Sequence, residues 1–229
     1  MHHGSIGNLI FDETRLKAHI RELLSQRDRR IIPSKDLRES AVLVPLCWEE
    51  GEPRIVVTKR SMDVEHHKGE ISFPGGRAED DDPSYVYTAL REAEEEIGLN
   101  PEDVEVLGLL DDHISIVGFH ITPVVGAVPA MYDFRINFEA ETLLKVSVPY
   151  MLRDSVWMAE EATFMDRNIL VYFLEIEGGV VWGATARMLK HFADLIAGHP
   201  LEFSPVSQSA REWVAEVISN QAIYRTSKR

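Results

Sequence analysis

The chain has 229 residues, enough for one well-filled domain, and its 45% hydrophobic and 27% charged residues are typical of globular proteins. Its 24 Lys and Arg against 38 Asp and Glu give a net charge of −14, which excludes a general role in coating nucleic acid. A small phosphorylated substrate stays compatible, because a bound divalent cation reverses the charge locally. The single cysteine, Cys47, excludes an intrachain disulfide and is expected to be a buried thiol. No apolar run is long enough to span a membrane, so we expect a cytoplasmic protein.

Hydrophobic periodicity divides the chain into an N-terminal tail and helix over 1–36, a main domain over 37–200 and a C-terminal helical extension over 201–229. The first helix is predicted to start at Asp12. Strands are predicted at 41–48, 54–58, 104–110, 119–128, 143–148, 170–176 and 180–182, and further helices at 85–97, 184–196 and 210–223. Strands interleaved with a few helices predict an α/β or α+β domain.

A glutamate-rich helix carries the clearest chemical signal. Glu92, Glu95 and Glu96 lie at i, i+3 and i+4, on one face of the helix, where their carboxylates repel one another unless cations lie between them. Hard oxygen ligands of this kind suit Mg²⁺ or Mn²⁺. Taken alone, such a helix is more often a solvated surface. Upstream, however, Gly75 and Gly76 allow a close approach of the backbone, and Arg91 can bridge the acidic groups.

Residues 76–99 resemble the Nudix box, G-x5-E-x7-R-E-U-x-E-E-x-G-U, in which U is a bulky apolar residue. The second half matches apart from Ala93, which occupies the first U position. The first half carries one extra residue before Arg91 and has Asp82 where the family usually has Glu. This variant resembles that of the coenzyme A pyrophosphatase subfamily of Nudix hydrolases.

Other segments resemble the signatures of the same subfamily. Residues 57–61 and 67–76 are similar to its L-L-T-x-R-S…H-x-G-x-x-x-F-P-G-G pattern. Residues 118–125 resemble G-F-x-V-T-P-V-V, and residues 181–189 resemble I-W-G-x-T-A-R-I-L. The resemblance therefore extends over most of the chain.

The resemblance implies an α/β/α sandwich with a mixed, curved sheet between helices. It also implies metal-dependent hydrolysis of the diphosphate of coenzyme A or acyl-coenzyme A, giving adenosine 3′,5′-bisphosphate and (acyl-)4′-phosphopantetheine. The implied ligands of Mg²⁺ or Mn²⁺ are Glu92, Glu96, Glu95 and the Gly76 carbonyl. Arg91 belongs to the same catalytic group, and the resemblance does not decide which carboxylate is the general base.

Basic residues cluster ahead of the glutamate helix, in a chain that is otherwise acidic. The cluster comprises Lys59, Arg60, His66, His67, Lys68 and Arg77. It predicts a binding site for substrate phosphates, the 3′-phosphate of coenzyme A among them, with a solvated loop as the alternative. The motif match favours function at Arg60 and His67, whereas adjacent histidines with no second pair nearby argue against a zinc site.

One position departs from the subfamily pattern. Many relatives carry an acidic residue five positions before the proline that Pro149 matches, and this chain has Leu144 there. Glu139 and Glu141 are nearby, but the departure favours a general base from the glutamate helix.

Two other functions stay open at this stage. One is a Nudix pyrophosphatase acting on another nucleoside diphosphate derivative, such as ADP-ribose, NADH or a nucleoside triphosphate. The other is a non-catalytic Nudix ligand-binding module. The expected partner is a small nucleotide diphosphate, with no nucleic acid and no membrane, and a homodimer stays open.

Overall fold

The computed structural model describes residues 9–33, 36–64, 67–164 and 167–227. Helix α1 spans Glu13–Gln26 and begins where the Asp12 carboxylate accepts a hydrogen bond from the Arg15 backbone N–H. Its buried residues are Leu16, Ile20 and Leu24. None of the described helices is long and apolar enough to cross a membrane.

The central sheet is mixed. Its strands are β1 (Arg38–Glu49), β2 (Glu52–Arg60), β3 (Ile71–Ser72), β4 (Gly75–Arg77), β5 (Glu105–Leu109), β6 (His113–Ile114), β7 (Phe119–Ala127) and β8 (Ala140–Ser147). Strand β1 pairs in parallel with β7 and antiparallel with β2 and β4. Strand β2 also pairs with β8, so the longest strands lie in the middle of the sheet.

A second, smaller sheet follows in the chain. Its strands are β9 (Trp157–Phe164), β10 (Arg167–Ile176), β11 (Gly179–Trp182) and β12 (Ser204–Pro205). The remaining helices are α2 (Tyr85–Ile97), α3 (Val148–Met151), α4 (Gly183–Ala197) and α5 (Gln208–Ser227).

Alternation along β1 explains why helices cover both faces of the central sheet. Ala41, Leu43 and Cys47 point to one face and pack in a core with α2. Val44 and Leu46 point to the other face and pack with residues of α1 and α4. The predicted sandwich of a mixed sheet between helices is confirmed.

Most predicted elements occur within a few residues of their expected bounds, but β9 and the short strands β3, β4, β6 and β12 were not predicted. The central residues of β9, Glu160 and Glu161, interrupt the apolar pattern of a buried strand. The antiparallel pairing of β9 with β10 holds it in place. The predicted strand at 143–148 begins earlier, at Ala140, and ends at Ser147, whose hydroxyl caps α3. Cys47 is buried as expected, and burial raises the pKa of its thiol.

Candidate active site

Helix α2 is fixed at both ends by local signals. The Ser84 hydroxyl accepts a hydrogen bond from the Tyr87 backbone N–H, and Gly98 closes the helix in the left-handed region at φ 65°. Ala93 and Ile97 are fully buried against the sheet. The caps fix the ends of the helix, and its buried face fixes its rotation about its own axis relative to the sheet.

Strand β4 brings two glycines against this helix and β1. A Cβ atom on Gly76 would overlap the Glu92 carboxylate, and one on Gly75 would lie 2.5 Å from the Ala41 carbonyl oxygen. Only glycine allows so close an approach of backbone to side chain. The β4 backbone thus lies directly against the Glu92 carboxylate.

Glu92 and Glu96 are both largely shielded from water, with side chains 16% and 9% exposed. Burial raises the pKa of both carboxyls, that of Glu96 to about 8. Arg60 opposes the rise at Glu96, while Glu139 and Glu92 add to it. The two carboxylates therefore share a site that lacks enough positive charge to stabilise both anions.

Arg91 holds the acidic groups in position. Its guanidinium donates to Asp82 at 3.0 and 3.2 Å, to Glu92 Oε1 at 2.9 Å and to the Arg77 carbonyl at 3.1 Å. A weaker contact of 3.3 Å reaches Glu95, whose side chain is 58% exposed. Glu95 therefore lies at the exposed edge of the site and shares Arg91 Nη1 with Glu92, and Arg91 is the positioning residue of Glu92.

Glu139 joins the site from outside the helix. Arg60 Nη2 lies 3.2 Å from Glu139 Oε2, and Arg60 Nη1 lies 3.9 Å from Glu96 Oε1. The negative charge of Glu139 raises the pKa of both Glu92 and Glu96. Sequence reasoning placed Glu139 only nearby, whereas the structure brings it to the buried pair.

The loop before Glu139 docks on the last carbonyls of α2. The Asn137 backbone N–H donates to the Glu96 carbonyl at 3.0 Å, and its side-chain amide donates to the Glu95 carbonyl at 3.0 Å. The Asn137 side-chain oxygen then accepts from the Glu139 N–H at 2.8 Å. These contacts join segments that are far apart in the chain, since Asn137 lies 42 residues after Glu95. No local sequence signal identifies them.

Three members of the predicted basic cluster have acidic partners. Lys59 forms an ion pair with Glu141 at 3.4 Å, and His67 Nδ1 lies 3.1 Å from the carboxylate of Glu70. Arg60 contacts acidic groups of the site, as described above. Of the three, only Arg60 reaches the carboxylate of Glu96.

The rest of the cluster is dispersed. Lys68 is 2% exposed, and its ammonium group donates to the Met62 carbonyl, so its charge is directed inward. Arg77 is exposed on β4, next to Gly76. His66 lies outside the described residues. The predicted cluster is therefore not a single basic surface.

The residue types at the site fit a divalent cation. Across residues 9–33, 36–64, 67–164 and 167–227, no three His, Cys, Asp or Glu side chains are already gathered around one point. The fit rests on two neighbouring buried carboxylates, on the additional negative charge of Glu139 and on the close approach of the Gly76 backbone. Carboxylate and carbonyl oxygens are the ligands that Mg²⁺ and Mn²⁺ prefer.

Comparison with known proteins identifies the family. The model of the NUDIX domain matches residues 37–175, and the chain belongs to the Nudix family. Over 161 residues it is 37% identical to the Nudix hydrolase NudL of Yersinia pestis (strain Pestoides F), covering 70% of this chain and 80% of NudL. NudL of Yersinia pseudotuberculosis serotype O:1b gives the same values, and both proteins are named as uncharacterized. The chain is therefore a hydrolase of a class that cleaves pyrophosphate bonds, generally with divalent metal ions.

Solved structures of other hydrolases align with part of the chain. The Nudix hydrolase RenU of M. smegmatis has a TM-score of 0.42 at 21% identity, covering 49% of this chain and 71% of RenU. The Ap4A hydrolase of C. elegans has a TM-score of 0.43 at 13% identity, covering 51% of this chain and 84% of that protein.

The contact between Gly76 and Glu92 predicts a strong effect of a single methyl group. Gly76→Ala should lower turnover roughly 100-fold, the cost of a misplacement of about 1 Å in a catalytic site. A Cβ at Gly51, in the exposed turn between β1 and β2, meets nothing within 4 Å; Gly51→Ala costs some stability because φ is 79° there, but the folded variant should keep its turnover. Steady-state kinetics on both folded variants test this, and normal turnover of Gly76→Ala would contradict it.

The ion pair between Asp82 and Arg91 predicts a pH-dependent contribution to stability. Arg91 lowers the pKa of Asp82 from 3.8 to about 2, so the contribution is complete above the unfolded pKa and is lost as the pH falls through about 2. Asp82→Asn should lower the free energy of unfolding at pH 7 by about 1.5–3 kcal/mol, the range for charged hydrogen bonds. Its deficit relative to wild type should shrink below about pH 4.

Urea unfolding at a series of pH values measures this difference. Asp81→Asn is the matched control, because Asp81 is an exposed neighbour. An equal deficit for both variants, or one that does not change between pH 7 and pH 2.5, would refute the assignment.

Proposed function

We propose that the protein hydrolyses the diphosphate of coenzyme A or its acyl thioesters, with Mg²⁺ or Mn²⁺, to adenosine 3′,5′-bisphosphate and (acyl-)4′-phosphopantetheine. The observation that carries the proposal is the pair of largely buried carboxylates of Glu92 and Glu96 beside Gly76. The protein's own cations do not fully compensate their negative charge, because the pKa of both is raised. Such a pair suits a cation that arrives with an anionic substrate.

The chain's own residues supply position and charge for this reaction. Arg91 fixes the Glu92 carboxylate against the β4 backbone, and Gly76 leaves space for that carboxylate. Arg60, between Glu96 and Glu139, directs positive charge toward the site where a substrate phosphate would lie. A divalent cation would add charge that neutralises the diphosphate and eases deprotonation of the attacking water.

In the hydrolysis, water attacks one phosphorus and the bridging P–O bond breaks, with the proton of the water passing to a carboxylate of the site. Glu92, Glu95, Glu96 and Glu139 are the candidates for that base. Glu92, Glu96 and Glu95 are the proposed ligands, together with the Gly76 carbonyl, and Glu95 would act from the exposed edge of the site.

The substrate assignment rests on residues 57–76. This segment resembles the coenzyme A subfamily signature, and it contains Arg60 and His67. Arg60 lies 3.9 Å from the Glu96 carboxylate, which supports a role in phosphate binding. Lys59, Lys68 and Arg77 are proposed to act in the same binding region, with the inward-facing Lys68 acting through the loop that it holds.

We also propose that residues 37–200 form the hydrolase domain and that 201–229 pack on it as an extension. Val206, Ala210 and Val214 share an apolar core with Phe173 and Val180 of the second sheet, which supports the packing of the extension on the domain.

The proposed location is the cytoplasm, with no nucleic-acid or membrane partner. Light scattering decides between monomer and homodimer.

Removing one charge from the buried pair should abolish most activity. Glu92→Gln and Glu96→Gln should each lower turnover at least ~100-fold, about 2.7 kcal/mol of barrier. Glu94 lies on the same helix but is exposed, so Glu94→Gln is the matched control with turnover near wild type. Full activity of a folded Glu96→Gln variant would contradict the assignment of Glu96 to the catalytic site.

Product analysis on a substrate panel tests the proposed reaction. The panel contains coenzyme A, 3′-dephospho-coenzyme A, ADP-ribose, NADH and dGTP, each with Mg²⁺ and with an EDTA control. We expect metal-dependent release of 4′-phosphopantetheine from coenzyme A, well ahead of the dephospho form, by chromatography and mass spectrometry. A preference for another diphosphate would support Nudix hydrolysis but contradict the assignment of coenzyme A as the substrate. No turnover with either Mg²⁺ or Mn²⁺ would favour a ligand-binding module.

A further inference from the structure

Helix α5 comes after residues 37–175, the part of the chain that the NUDIX domain model matches. Its start is anchored to the second sheet. The hydroxyl groups of Ser207 and Ser209 donate to the Glu175 carboxylate of β10 at 2.7 and 2.8 Å. The Ser207 oxygen also accepts from the Ala210 N–H at 3.0 Å, as a helix cap does. These contacts fix the first turn of α5 against β10.

The buried face of α5 has two parts. Ala210 and Val214 pack in an apolar core with Phe173 and Val180 of the second sheet. Val217, less than one turn further on, is as buried as Val214, with 8% of each residue exposed. It packs against a different segment of the chain, which lies between β2 and β3.

The contact of Val217 is with the backbone at Gly69, which has φ 70° in the left-handed region. A Cβ atom on Gly69 would lie 3.9 and 4.0 Å from the two methyl carbons of Val217 and 3.4 Å from Met62 Sδ. Lys68, the preceding residue, is 2% exposed, and its ammonium group donates to the Met62 carbonyl. The backbone at Gly69 is therefore enclosed between α5 and Met62.

Trp213 makes a second contact, one turn before Val217 on the same face of α5. A Cβ atom on Gly179 would lie 2.6 Å from Trp213 Cζ2 and 3.0 Å from Ile71 Cδ1, so both side chains lie against the β11 backbone at this point. Ile71 belongs to β3 and pairs with Lys59 of β2. The two side chains of α5 therefore support residues 69–71 from one side.

The backbone of Arg60 depends on these residues. The register between β2 and β8 shifts between Lys59 and Arg60, so Arg60 lies past the regular part of that ladder. On its other side, the Arg60 N–H donates to the Glu70 carbonyl at 2.9 Å, and the Gly69 N–H donates to the Arg60 carbonyl at 3.1 Å. Among the described residues, the buried Arg60 Nε has no hydrogen-bond partner. The backbone is therefore the main constraint on the direction of this side chain.

We propose that α5 sets the direction of Arg60, and that Val217 and Trp213 are positioning residues for the binding of a diphosphate. Val217 and Trp213 hold residues 69–71, and these residues hold the Arg60 backbone. The C-terminal extension thereby determines the affinity of the site for diphosphate groups. The inference rests on the proposed phosphate-binding role of Arg60 and is independent of coenzyme A as the particular substrate.

Calorimetry with methylenediphosphonate and Mg²⁺ measures diphosphate binding without turnover, since the carbon bridge of this probe is not hydrolysed. Val217→Ala removes the two methyl groups that face Gly69. It should weaken binding at least about threefold, within the range of coupling between groups that share partners. Val217→Ile keeps both carbons at this branch and should bind the probe as wild type does.

Val214→Ala is the matched control, because it is the same substitution on the same helix at a residue that is also 8% exposed. Val214 packs with the second sheet and not with residues 69–71. Val214→Ala should therefore lower the free energy of unfolding about as much as Val217→Ala and leave the affinity for methylenediphosphonate unchanged. Urea unfolding of both variants measures the loss of stability.

Amide hydrogen exchange tests the step through the backbone. The amides of Arg60 and Gly69 each donate a hydrogen bond in this part of the fold. Both should exchange at least about tenfold faster in Val217→Ala than in Val214→Ala, because local opening of residues 69–70 becomes easier. The amides of β1 should exchange at the same rate in the two variants.

A double-mutant cycle tests whether α5 acts through Arg60. Arg60→Gln alone should weaken methylenediphosphonate binding at least about tenfold, as expected for the loss of a hydrogen bond between charged groups. In the Arg60→Gln background, Val217→Ala should have no further effect on binding, because the side chain that it would displace no longer carries the charge.

The outcomes separate the inference from the function on which it rests. Equal affinity and equal amide exchange in Val217→Ala and Val214→Ala would overturn the inference and leave the proposed function standing. Additive losses in the double variant would show that Val217 does not act through Arg60, and would also overturn it. Wild-type affinity of Arg60→Gln would contradict the proposed phosphate-binding role of Arg60, and the inference with it.

Discussion

The burial of two neighbouring carboxylates is the constraint on which the site depends. Glu92 and Glu96 lie one helical turn apart, and burial raises the pKa of both. Taking two like charges out of water is costly unless positive charge compensates them. Arg91 compensates Glu92 in part, and Arg60 stands at 3.9 Å from Glu96, so the arrangement favours binding of an additional cation.

Several distant segments converge to keep this pair in position. Gly76 lets the backbone of β4 touch the Glu92 carboxylate, and Asp82 anchors the arginine that orients it. On the far end of α2, Asn137 bonds to the last carbonyls of the helix and directs Glu139 toward the site.

The sequence predicts the parts of this account that depend on local signals. Helix α2 is predicted over 85–97 and found there, because Ser84 and Gly98 are caps that act within a few residues. The position of Glu139 is not predicted from the sequence, since it depends on the hydrogen bond between Asn137 and Glu95, which are 42 residues apart in the chain. Lys68 shows that the number of basic residues in a segment does not predict a basic surface, because its ammonium group points inward and donates to the Met62 carbonyl.

The central claim, that Glu92 and Glu96 form a cation site, can be tested without substrate. Electron paramagnetic resonance of free Mn²⁺ during titration of the protein measures the number and affinity of bound ions. We expect wild type and Glu94→Gln to bind Mn²⁺ with the same affinity, and Glu96→Gln to bind it at least about tenfold more weakly. Equal Mn²⁺ affinity in Glu96→Gln and wild type would contradict the account.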